Sequence, residues 1–146
     1  MVYGPAFPGS ANLKHLSQSM SEIYALMNGS LTEVPPTMLP AFVDVRDVAR
    51  AHLLAFETDQ PQRFLVSGGN FDKQKVCDLL RDQIPELKSR VPVGNSGKPS
   101  VGEHYEVDCS RARKVLGIEF RSVNETFLDM AHAFMEMENA EKEPSL

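Results

Sequence analysis

Few side chains in this sequence are spaced for chemistry, and most of those stand alone. Glu125, Asp129, His132 and Glu136 recur at four-, three- and four-residue steps, which puts four potential metal ligands on one helix face. A carboxylate metal site among helices needs matching ligands from neighbouring helices. No second acid-x-x-His segment occurs, so the stripe reads as a solvated face. His52 lies among apolar residues with no nucleophile or carboxylate at a fixed offset, the setting of a core or pocket-lining histidine. Gly94-Asn95-Ser96-Gly97 matches half of a dinucleotide-binding fingerprint, but it lacks the third glycine and the following helix, and it is not read as a phosphate cradle. Cys77 and Cys109 fit neither a disulfide framework nor a zinc pattern and read as small buried residues of a reduced, cytoplasmic protein.

The elements that must position such groups are organised around residues 42–57. Phe42 and Val43 are strand formers after a proline-rich loop, and Asp44 stands at a helix N-cap position. Asp47 adds negative charge near the positive end of that helix. Val45, Val48, Ala49, His52 and Phe56 recur at helical spacing, which predicts a strand feeding an amphipathic helix whose apolar stripe is buried.

Upstream, Met1-Val2-Tyr3 is a strand end broken by Gly4-Pro5, and a helix carrying Leu16, Met20, Ile23 and Met27 stops at Asn28-Gly29. Ser17 and Ser19 stand where they can cap it. Downstream, Arg63-Phe64-Leu65-Val66-Ser67 reads as a buried strand. Asp72 caps a helix with Val76, Leu79, Leu80 and Gln83 on successive turns, ending before Pro85. Residues 91–102 read as an exposed loop rich in Gly, Pro and Ser. Asp108 caps a short helix stopped by Gly117. Ser122 with Glu125 forms a capping box for a last helix with Val123, Phe127, Met130, Phe134 and Met137 on one face, and the charged residues after 138 read as a fraying tail. A few short strands alternating with about five helices indicate an α/β arrangement.

Composition narrows the function classes. The 146 residues are 42% apolar and 24% charged, the balance of a globular domain. A net charge of −5 without a basic run argues against a nucleic-acid surface, and no apolar stretch is long enough to span a bilayer.

Val43-Asp44-Val45-Arg46-Asp47-Val48-Ala49 resembles the segment that opens the substrate-binding part of extended short-chain dehydrogenase/reductases, the NAD-dependent epimerase/dehydratase group. The similarity is greatest to the fungal NADPH-dependent methylglyoxal and carbonyl reductases. Val2-Tyr3-Gly4-Pro5 resembles that family's Val-Phe/Tyr-Gly-Pro signature, and the Ser17 to Ser19 segment resembles its Leu-Asn-Thr-Ser motif. The resemblance implies the C-terminal portion of a Rossmann-like reductase. Residues 1–146 would form its substrate-binding part, and Val2 and Ser19 would touch the nicotinamide end of NADPH. It further implies a small carbonyl substrate, with residues 3–19 lining its pocket.

The family's Tyr-x-x-x-Lys does not occur here: Tyr3, Tyr24 and Tyr105 are followed four residues later by Phe7, Asn28 and Cys109. No glycine-rich strand-turn-helix is encoded either. The expectation is therefore an N-terminally truncated product, a split gene or an incomplete gene model, without turnover on its own and with no residue assigned a catalytic role. It would be partnered by a missing Rossmann half. An alternative expectation is a non-catalytic binding or regulatory module derived from a reductase, which self-associates or binds a partner through an exposed apolar face.

Overall fold

The computed structural model describes residues 1–7, 9, 12–60, 62–98 and 105–142. Their order is β1 (Val2–Tyr3), α1 (Gln18–Met27), β2 (Ala41–Asp44), α2 (Val45–Glu57), β3 (Gly69–Asn70), α3 (Lys73–Gln83), a 3-10 turn (Pro85–Leu87), α4 (Ser110–Leu116) and α5 (Val123–Lys142). The expected α/β arrangement of five helices and a few short strands is present. One sheet in the order β1-β2-β3 joins the strands. β1 runs parallel to β2, with Val2 opposite Val43 and Tyr3 opposite Asp44; β3 is antiparallel, with Phe42 opposite Gly69.

Local capping sets most helix starts. Ser17 accepts from the N–H of Met20, Asp44 from that of Arg46 and Asp72 from that of Lys75. Gly117, at φ +59°, closes α4 in the left-handed conformation that glycine adopts without penalty. Ser122 accepts from the Glu125 N–H at 3.2 Å, but the Glu125 carboxylate turns to Arg121, so the capping box is only half formed.

The main core is aromatic. Tyr3 of β1, Phe42 of β2, Phe71 directly after β3 and Phe127 of α5 come together with ring centroids 5.0–6.3 Å apart. Such offset and edge contacts add to burial that stabilises by roughly 2–3 kcal/mol per large side chain. Phe134, Met130, Ile23, Leu26, Met27, Val76, Cys77 and Leu80 extend this core between α1, α3 and α5. A second cluster, Ala51, Ala112, Leu116 and Ile118, fills the space between α2 and α4.

Several expectations are corrected. The outward face of α2 carries Val45, Ala49, His52, Leu53 and Phe56, while Asp47 and Ala51 face inward. The predicted stripe is thus exposed except for the half-buried Val48, because α4 packs against Ala51 rather than against the stripe. His52 is consequently not a core residue; its Nδ1 lies 2.8 Å from the Val48 carbonyl oxygen one turn back.

Residues 63–67 form no strand. Ser67 Oγ and the Gly68 N–H both donate to the Phe42 carbonyl, and the paired strand begins only at Gly69. Gln83 at the end of α3 is exposed; the buried apolar positions of that helix are Val76, Cys77 and Leu80, and Lys73 and Gln74 in its first turn are buried as well. Val91 and Pro92 are buried, so the expected exposed loop starts at Val93; residues 99–104 lie outside the described ones. Cys109 occupies the α4 cap position, although Asp108 still accepts from the Ser110 N–H at 2.8 Å. Residues 139–142 continue α5 instead of fraying, and 143–146 lie outside the described residues.

Candidate functional site

Strand alternation divides the two residues of β1. Tyr3 points inward, 2% exposed, with its ring against Phe71 and Phe127; Val2 points the other way and is 42% exposed. Burial pushes the Tyr3 phenol well above its ordinary pKa, and the negative charge of Glu22 adds to this, so its proton stays on. The hydroxyl donates to Met1 Sδ at 3.6 Å.

Immediately afterwards the chain turns at Gly4, at φ +124°. A Cβ there would lie 3.0 Å from Val45 Cγ1 and 3.3 Å from Asp44 Oδ1. Only glycine lets the strand end approach the start of α2 this closely.

Asp44 holds that junction. Its side chain is fully buried and accepts from the Arg46 backbone N–H at 2.8 Å, from Arg46 Nε at 2.9 Å and from Arg46 Nη2 at 2.8 Å. Burial alone would raise its pKa, but hydrogen bonds from the Arg46 side chain and backbone together outweigh it and hold the carboxyl below the ordinary range. Arg46 Nη1 reaches on to Asp129 of α5 at 2.6 Å. One turn later the buried Asp47 accepts from the Arg121 backbone N–H at 2.7 Å and pairs with its guanidinium, whose Nε also meets Glu125 at 3.0 Å.

The charged residues of Asp44-Val45-Arg46-Asp47 are thus clamps that tie the end of β2 and the start of α2 to α5 and to Arg121 just before it. Local reasoning gave Asp44 and Asp47 only roles at the helix start. Asp47 meets Arg121, 74 residues away, and Asp44 is joined through Arg46 to Asp129, 83 residues beyond that arginine, both out of the reach of any spacing rule. The same clamps account for half of the possible metal stripe. Asp129 and Glu125 are engaged by Arg46 and Arg121, and among the described residues no three His, Cys, Asp or Glu side chains converge as cation ligands.

Ser17 caps α1, and Ser19 sits half-buried in its first turn with its Oγ 3.4 Å from Ser17 Oγ. α1 packs beside β1, so Ser19 and Val2 stand on adjoining elements. Between them and α3, Lys73 Nζ pairs with Glu22 at 3.4 Å beside a cavity of about 80 Å³ lined by Met1, Thr37 and Phe71. A larger open groove of about 500 Å³ runs from Ala41 and Val43 past Leu65 to Tyr105 and Val107. Sequence reasoning did not anticipate it, because residues 63–67 were expected to be buried as a strand.

These residues can offer a dinucleotide an apolar contact from Val2 and a hydroxyl from Ser19. They do not supply a pyrophosphate cradle. In the Gly94–Gly97 turn, the Asn95 N–H donates to Gln74 Oε1 at 2.9 Å and the Gly97 N–H to Asp78 Oδ2 at 3.2 Å, so these amides are already occupied. Among the described residues no helix is long and apolar enough to cross a membrane.

No protein-family model matches the chain. The NADPH-dependent methylglyoxal reductase of Saccharomyces cerevisiae is 35% identical to it over 144 residues, which are 94% of this chain and 41% of that protein. A ketoreductase of Aspergillus niger is 34% identical over 140 residues, 93% of this chain and 41% of the relative. Among solved structures, the yeast methylglyoxal/isovaleraldehyde reductase Gre2 complexed with NADPH superposes with a TM-score of 0.75 at 33% identity, over 94% of this chain and 42% of that one. The chain spans about two fifths of the length of the curated relatives it matches. Over that length it belongs to the extended short-chain dehydrogenase/reductase family, with NADPH-dependent carbonyl reductases as its relatives.

Proposed function

We propose that residues 1–146 are the substrate-binding part of an NADPH-dependent oxidoreductase acting on a small aldehyde or ketone, located in the cytosol. The observation that carries this reading is the similarity to the yeast reductase, at 33% identity and a TM-score of 0.75, over nearly the whole chain. Val2, turned outward opposite the anchored Tyr3, and Ser19 on the adjoining helix are the cofactor-contacting residues of this reading. The Gly4 turn and the Asp44–Arg46–Asp129 clamp set their positions without touching a ligand.

The chain alone does not turn over. Proton donation to a carbonyl oxygen and hydride delivery both need groups that these 146 residues do not carry, notably the Tyr-x-x-x-Lys pair. A nucleotide-binding Rossmann half would supply them. The test is titration of NADPH into the purified chain, followed by nicotinamide fluorescence and by absorbance with a panel of small aldehydes and ketones. Neither saturable micromolar binding nor oxidation of NADPH is expected. Either one would overturn the reading.

A further inference from the structure

Asn28-Gly29 is the one Asn-Gly pair in the sequence, and it forms a turn between two anchored points. Met27, the last residue of α1, is fully buried, and Leu31 packs against the same core. Between them Asn28 is half-buried, and Gly29 and Ser30 are exposed. The Asn28 N–H donates to the Tyr24 carbonyl at 3.0 Å, which fixes its backbone at the helix end. Its side-chain Oδ1 accepts from the Ser30 N–H at 2.9 Å, while Nδ2 makes no hydrogen bond among the described residues.

The Gly29 N–H is also without a hydrogen bond among those residues, and no side chain shields it. A Cβ built at Gly29 would meet only Arg90 Cβ, at 3.8 Å. The other asparagines are set differently. Phe71 N–H, after Asn70, donates to the Pro40 carbonyl at 2.9 Å, and Glu125 N–H, after Asn124, donates to Ser122 Oγ at 3.2 Å. Asn139 lies inside α5. Asn12 and Asn95 are followed by Leu13 and Ser96, whose side chains crowd the approach that a glycine leaves open.

We propose that Asn28 is a site of spontaneous modification, in which the Gly29 amide nitrogen attacks Asn28 Cγ and closes a five-membered imide. The N–Cγ bond forms as the Gly29 nitrogen gives up its proton; the Cγ–Nδ2 bond breaks, and Nδ2 leaves as ammonia with that proton. Nothing is oxidised or reduced. Water then adds to one of the two imide carbonyls and opens the ring to an aspartate or an isoaspartate at position 28. The Ser30 N–H on Oδ1 draws electron density away from Cγ and so favours the attack. Closure turns the Cα–C bond of Asn28, beyond the last helical residue, so the hydrogen bonds within α1 stay in place.

The product is less stable than the parent chain. Its new carboxylate stands at the C-terminal end of α1, where the helix dipole is already negative. In the isoaspartate form the main chain also gains a methylene between the anchored Met27 and Leu31. A melting temperature about 2–4 °C lower is expected for the modified chain. The reaction involves only the chain's own amides and is independent of the substrate-binding reading.

The test is to hold the purified chain at pH 8 and physiological temperature for several weeks, sampling it by peptide mass spectrometry. The peptide carrying residue 28 should gain about 1 Da, with isoaspartate the larger product. The gain should be at least about tenfold faster there than at Asn95, and Asn28→Gln, which would have to close a six-membered ring, should abolish it. A parallel incubation in guanidinium chloride calibrates the effect of the fold: the folded chain should react within about fivefold of the unfolded one. A folded-state rate more than fivefold lower would overturn the proposal, because the turn would then protect the amide. A mass gain led by Asn95 or any other asparagine would overturn it as well.

Discussion

Arg121 meets Asp47 twice across 74 residues of sequence: its backbone N–H donates to Oδ2 at 2.7 Å and its guanidinium to Oδ1. One carboxylate thereby fixes both the direction of the chain entering α5 and the rotation of α2. Asp47→Ala leaves the Arg121 amide and guanidinium without their acceptor. Partial exposure of the arginine moderates the cost, and a loss of about 2 kcal/mol is expected. Urea unfolding followed by circular dichroism measures it; an unchanged midpoint would mean that the contact is replaceable by water.

Asp44 couples the fold to acid. Its folded-state pKa lies below the ordinary value of 3.8, so the unfolded chain binds that proton more readily. The stabilisation is present above the ordinary value and is lost as the pH falls through the lower folded one. Asp44→Asn should therefore be clearly less stable than the wild type at pH 7, with the gap narrowing steadily below about pH 4. Parallel stability curves for the two proteins between pH 7 and pH 2 would contradict this account.

The turn at Gly4 has no room for a methyl group. Gly4→Ala combines a positive φ with a contact at 3.0 Å from Val45 Cγ1, and a loss of roughly 2 kcal/mol is expected, more than a glycine-to-alanine change costs at an ordinary loop position. Gly97, also at positive φ but with open space around it, serves as the control for φ strain alone. Thermal melts of the two variants separate the contributions, and equal melting temperatures would show that the contact with α2 relaxes freely.

Cys77 should be chemically silent in the folded chain. Burial, with the neighbouring Asp78 charge adding to it, pushes its thiol up to about 12. In a Cys109→Ser background, Ellman's reagent at pH 8 should react with no thiol before denaturant is added and with one afterwards. Prompt labelling of the native protein would show that α3 opens on the timescale of the reaction.

Local chemistry was legible at most helix ends, where a neighbour within four residues decides the outcome; the Ser122–Glu125 box, half formed, and the α4 cap, at Cys109 rather than Asp108, are the exceptions. The Ser17, Asp44 and Asp72 caps and the Gly117 stop all stand where side chain and backbone position them. What the sequence did not disclose depended on distant partners. The spacing of Val45, Ala49, His52 and Phe56 announces an apolar face but not which neighbour covers it, and α4 chose Ala51 instead. Residues 63–67 have the composition of a strand, yet a strand exists only through a ladder, and the Phe42 carbonyl is engaged by Ser67 and Gly68 at one point only. The roles of Arg46 and Arg121 at the candidate site escaped for the same reason, since Asp129 and Asp47 come to them only once α5 has docked.

The four rings of Tyr3, Phe42, Phe71 and Phe127 come from the first residues of the chain, its middle and its last helix. No smaller autonomous piece can be cut from such an arrangement, because any scission that removes β1 or α5 takes away a wall of the same hydrophobic chamber. Melting should accordingly be all-or-none, without a surviving C-terminal remnant.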